Sequence, residues 1–163
     1  AYEAWGATCG PAALAAIARQ PVLPLQPHFP KPWTNPTQMK AAIAALGLRC
    51  ERQGVYKTTY HMPPMSKAAT FPHYGLAFLQ IEGSWCNPGV PVGAAYQRTH
   101  WVAVSRAPVD DPTELFVYDI NAEVGGAWLP IAAWKDGPMA GVVARTRGAT
   151  GGWYVREAWE VLS

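Results

Sequence analysis

The chain has 163 residues, half of them apolar and only 15% charged, which supports one folded domain with a sizeable core and excludes a disordered chain. Its 13 basic and 11 acidic residues leave a net charge of +2 and never cluster, so the basic stripe of a nucleic-acid-binding surface is missing. No apolar run reaches the length of a membrane span, and no basic segment leads a signal-like apolar stretch, so a cytoplasmic protein that does not engage membranes is expected.

Cys9-Gly10-Pro11-Ala12-Ala13-Leu14 opens the first predicted helix, which begins at Ala7 or Thr8, ends at Arg19 and buries Ala13, Leu14 and Ile17. Proline at an early helical position gives up an N–H that the first turn would leave unpaired, and glycine lets another backbone approach closely. A thiol at that location feels the positive end of the helix dipole, which favours its thiolate. A proline-rich connector, Pro21 to Pro36, follows and suits neither a long helix nor a central strand. The second helix has the clearest boundaries. Asn35 caps it, Pro36 starts it, Gln38 completes a capping box, and Met39, Ile43 and Leu46 form its apolar stripe before Gly47 ends it in a left-handed cap.

Cys50 to Thr70 reads as mostly loop with a short strand, and His61-Met62-Pro63-Pro64-Met65 as a proline loop rather than a soft-metal site. The remainder is strand-like: Leu76 to Ile81, Val90 to Ala95 after the Asn87-Pro88-Gly89 turn, His100 to Ser105, and Leu115 to Ile120 after the turn Pro108 to Pro112. Asn121 to Gly126 is a further turn, leading to a short helical piece from Ile131 to Lys135 and closing strands near Val142 and Tyr154. Helices first and strands afterwards predict a single α+β domain with a mainly antiparallel sheet.

Cys9, Cys50 and Cys86 form an odd set without paired spacing, which suits reduced cytosolic thiols. With His28, His61, His73 and His100 they make no zinc-type pattern, so neither a metal nor another cofactor is expected. A cysteine nucleophile instead needs a base to take its proton and a partner to fix the base's tautomer. Of the four histidines only His100 opens a strongly β-prone segment. Nineteen residues later Asp119 ends an apolar strand, and two adjacent antiparallel strands would bring the two together. Asn121 is the substitute orienter if the register is off by two.

Cys9-Gly10-Pro11-Ala12-Ala13, the Pro36–Gly47 helix, Pro88-Gly89-Val90-Pro91-Val92, Thr99-His100-Trp101-Val102-Ala103-Val104 and Tyr118-Asp119 follow one another in a familiar order. Over about residues 3 to 135 the chain resembles the papain-like double-glycine peptidases, which trim leader peptides at bacteriocin exporters, and their stand-alone relatives. The resemblance implies a papain-like fold with the first helix packed on the sheet. It makes Cys9 the nucleophile, His100 the general base and Asp119 the orienter, with peptide or protein substrates.

The family carries a glutamine six residues before the cysteine, whose amide joins the cysteine N–H in binding the oxyanion. Here that position is Glu3, and an ionised carboxylate donates no hydrogen bond. Losing one oxyanion donor costs about 10²–10³ in rate. Glu3 with the Cys9 N–H is therefore the oxyanion-hole candidate only if Glu3 keeps a proton. The leading expectation is a cysteine peptidase or amidase working through a thioester acyl-enzyme. The alternatives are an acyltransferase on the same triad and a catalytically silent papain-like binding module.

Overall fold

A computed structural model describes residues 9–31, 34–53, 71–87, 89–91, 94, 98–106, 114–123 and 126–162. Helix α1 (Cys9–Ala18) comes first, then a 3-10 turn (Leu23–His28) in the proline-rich connector, and helix α2 (Pro36–Ala45). Strands β1 (Arg49–Gln53), β2 (Tyr74–Gly83), β3 (Thr99–Ser105), β4 (Phe116–Asp119) and β5 (Ala127–Pro130) follow. Helix α3 (Ile131–Trp134) then passes through a π turn (Lys135–Met139) into α4 (Ala140–Arg145), and β6 (Ala149–Leu162) closes the described chain.

The six strands form one sheet in the order β1-β6-β2-β3-β4-β5, with every neighbouring pair antiparallel. The architecture is α+β, as the segregation of helices and strands along the sequence predicts. The last strand returns to the middle of the sheet, between β1 and β2. Successive side chains of a strand alternate between faces, and here both faces are covered. Leu76 and Phe78 of β2, with Trp101, Ala103 and Trp159, pack under Leu14, Ile17, Leu25, Met39 and Ile43. Ala77, Leu79, Ile81, Val102, Val104 and Val117 pack against Trp134 and Met139 on the opposite face. Coverage on both sides explains why β2 reads as a continuous apolar run rather than an alternating one.

Local chemistry sets the helix ends. The Asn35 side chain accepts from the Gln38 N–H at 2.9 Å while the Gln38 side chain accepts from the Asn35 N–H at 3.0 Å. Gly47, at φ 71°, then takes the left-handed conformation that ends α2. Helix α1 stops at Ala18 because Arg19 itself adopts φ 54°, a conformation the residue type does not advertise.

Three expectations change. Val142 lies in α4, not in a strand, and the helical piece expected from Ile131 to Lys135 runs on to Arg145. The described residues of Val90 to Ala95 add no strand to the sheet; the Ala94 N–H turns back to the Pro91 carbonyl at 3.0 Å. Strand β6 is far longer than a closing strand at Tyr154, and it bulges. Phe78 pairs with Glu157 and Leu79 with Val155, so Arg156 is the extra residue, its side chain bonded to Gln80 Oε1 at 2.8 Å. The expected starts at Ala7 or Thr8, the His61 segment, and Glu3 lie outside the described residues.

Candidate active site

Three elements meet at one end of the sheet: the first turn of α1, the start of β3 and the end of β4. Helix α1 packs on the face carrying Phe78 and Trp101, which sets half-buried Cys9 over the β3 backbone. The helix can sit this close because position 10 is glycine. A Cβ there would lie 2.7 Å from both Cβ and Oγ1 of Thr34 and 3.4 Å from Trp101 Cδ1. Strand β4 pairs with β3 only from Ala103 onward. Ahead of that ladder the Trp101 N–H donates to Cys9 Sγ at 3.3 Å.

His100 is buried, and its Nε2 lies 2.8 Å from Asp119 Oδ2. With Nε2 taken by Asp119, Nδ1 is the ring nitrogen left for the Cys9 thiol, which acts on the imidazole through its charge and hydrogen bonding. Cys9, His100 and Asp119, which are 91 and 19 residues apart, thus form one connected line.

Asp119 is fully buried, and a carboxylate in that position needs its oxygens filled. Oδ1 accepts from the Asn121 N–H at 2.8 Å and from Asn121 Nδ2 at 3.1 Å. Oδ2 accepts from Trp134 Nε1 at 2.8 Å in addition to His100. Asn121 is therefore not an alternative to Asp119; it holds Asp119. Trp134 gave no sign of this role in the sequence. It lies 15 residues beyond Asp119 on a short helix, and an indole N–H that has found a buried acceptor looks the same in sequence as any core tryptophan.

The electrostatics run in one direction. Burial works to raise the Cys9 pKa, but the attraction and hydrogen bond of His100 and the Trp101 N–H outweigh it, and the thiol titrates below its usual value. Burial likewise opposes a charged His100, yet the Cys9 thiolate and the Asp119 hydrogen bond raise its pKa to about 10. Asp119 is lowered against its own burial by His100, Trp134 and Asn121. The favoured state is thiolate, imidazolium and carboxylate in line.

The other two cysteines are also free thiols but sit in opposite surroundings. Burial and then Glu160 push Cys50 up to about 11. Burial raises Cys86 as well, with the Gly83 hydrogen bond opposing it. Among the described residues no three His, Cys, Asp or Glu side chains converge as a metal-binding group, and no helix is long and apolar enough to cross a membrane.

Comparison with known protein families, with curated proteins and with solved structures finds no match for this chain.

Proposed function

We propose that this protein is a cysteine hydrolase of papain-like type that cleaves a peptide or amide bond through a thioester acyl-enzyme. The observation that carries the reading is the His100 imidazole, bound to buried Asp119 through Nε2 and followed in the chain by the Trp101 N–H that donates to the thiol of a helix-start cysteine. The order of motifs shared with the double-glycine peptidases supports the same assignment.

The Cys9 thiolate attacks the scissile carbonyl carbon, forming the S–C bond as the carbonyl π pair moves onto oxygen. As that intermediate collapses, the C–N bond breaks and His100 gives its Nδ1 proton to the leaving amine. A water then adds to the thioester, losing a proton to the now neutral imidazole. The carboxylic acid departs, and the sulfur leaves as a thiolate beside the re-formed imidazolium. Asp119 keeps its charge throughout, fixing the ring's orientation and favouring the imidazolium.

A peptide vinyl sulfone tests the reading by intact mass. The expected result is one adduct per chain, mapped to Cys9 and abolished in His100→Ala. Modification spread over the three cysteines, or unaffected by His100→Ala, refutes it. Turnover of a peptide library separates hydrolysis from acyl transfer: an added amine that diverts product into a new amide shows transfer.

A further inference from the structure

We propose that Trp101 is a positioning residue for the nucleophile: its indole, tied to the Thr34 carbonyl, holds the start of β3 so that the Trp101 N–H points at the Cys9 sulfur. The proposal takes Cys9 as the reactive thiol of the site above. It is read without any substrate, so it stands or falls separately from the hydrolase reading.

At Trp101 the strand has β2 on one side, paired through Trp101↔Phe78 and on to Gln80↔Thr99. On the other side the β4 ladder begins only at Ala103. Among the described residues, the segment that faces the thiol therefore has β2 as its one strand neighbour. The missing tie comes from the Trp101 side chain, whose Nε1 donates to the Thr34 carbonyl at 2.9 Å. Its ring stacks on Phe78 with centroids 4.4 Å apart and leans on Trp159 at 6.5 Å. Thr34 is itself fixed, because the next residue, Asn35, is locked in the capping box of α2. Its side chain also sits against Gly10, next to the nucleophile. The thiol, the Trp101 backbone and indole, Thr34 and Gly10 therefore form a closed ring of contacts. The ionisable groups acting on the sulfur are His100 on β3 and Asp119 on β4; Thr34, ahead of α2, brings no charge.

A hydrogen bond to a thiolate favours the charged form and so lowers the pKa. It also makes the sulfur a weaker nucleophile, since thiolate reactivity falls with pKa at a Brønsted slope of about 0.4–0.5. Loosening the N–H therefore has two effects of opposite sign, and mere loss of structure has no such signature. Trp101→Phe keeps a ring on Phe78 but deletes the indole donor. Gly10→Ala leaves Trp101 intact and pushes Thr34 from the opposite side of the ring.

The experiment is site-resolved iodoacetamide alkylation of Cys9 as a function of pH in the wild type and both variants, with a thermal melt of each. The expected midpoint in Trp101→Phe rises by about one pH unit, because weakening one charge-assisted bond is a change of that order. The rate then falls about threefold below both midpoints and rises about threefold above them. Gly10→Ala should shift the same way. An unmoved midpoint in both variants overturns the proposal, as does a rate that falls at every pH. Should Trp101→Phe fail to give a cooperative melt, the Gly10→Ala profile alone decides.

Discussion

Asp119 shows what a single buried charge demands. Its four hydrogen bonds come from three residues: His100 at the start of β3, Asn121 in the turn after β4, and Trp134 on α3. Removing any donor leaves an oxygen under-satisfied in a dry site, a cost of about 1–3 kcal/mol. Trp134→Phe, which keeps the ring and deletes the N–H, should lower stability by that amount in urea melts, with no titrating group added. The pH dependence has a definite sign. Because the folded pKa of Asp119 lies below its ordinary 3.8, its contribution is present above that value and disappears as pH falls through the folded pKa. Asp119→Asn should therefore flatten the acid limb of the stability curve, and an unchanged limb refutes this. His100 behaves oppositely. Its pKa is raised to about 10, so its stabilisation is complete below 6.5 and is lost as pH rises through about 10.

The same electrostatics predict thiol selectivity. At neutral pH iodoacetamide should modify Cys9 far ahead of Cys50, whose thiol at about 11 is only about one ten-thousandth ionised at pH 7. Peptide mapping after brief labelling checks this, and equal labelling of the two overturns the charge assignment. In the proposed hydrolase mechanism, protonating the Cys9 thiolate disarms the pair on the acid side and deprotonating His100 removes the leaving-group acid on the alkaline side. The profile of kcat/KM should therefore be bell-shaped, with its alkaline limb at about 10.

At the scale of elements, what the sequence discloses depends on how local the cause is. Helix α2 was legible to the residue because Asn35, Pro36, Gln38 and Gly47 act on their own backbone. Asn35→Ala should remove the reciprocal cap at a cost of about 1 kcal/mol, or about 2–4 °C in Tm for a domain of this length. A melt indistinguishable from wild type would show the cap is dispensable. That Cys9, His100 and Asp119 come together was legible because each sits at the end of a well-marked element. Strand β6 was not. Gly151 and Gly152 blur its start, and the Arg156 bulge puts Val155 and Ala158 on one face at a spacing of three, which breaks the period of two. Val142 was misread for a related reason. Val142 and Val143 suit a strand by propensity, but the π turn with Pro138 lets the helix continue through them. Asn121 and Trp134 as supports of Asp119 depend on tertiary placement, which no local pattern reports.

At the scale of the molecule, the site belongs to both halves of the core. His100 shares its face of β3 with Val102 and Val104, which pack toward Trp134, whereas Cys9 rides on the helix side against the Trp101 cluster. The sheet lies between the two cores, and the thiol meets the imidazole only around its end. Keeping Cys9, His100 and Asp119 in line therefore requires both cores at once. Phe78→Ala and Leu79→Ala remove adjacent β2 side chains from opposite faces, each at about 2–5 kcal/mol. Both should lower the urea midpoint. In each variant the preferential alkylation of Cys9 should vanish at the same urea concentration as native tryptophan fluorescence, because one cooperative transition dismantles both faces. If either variant loses Cys9 selectivity at lower urea than fluorescence, the two faces unfold separately and the site is not jointly held.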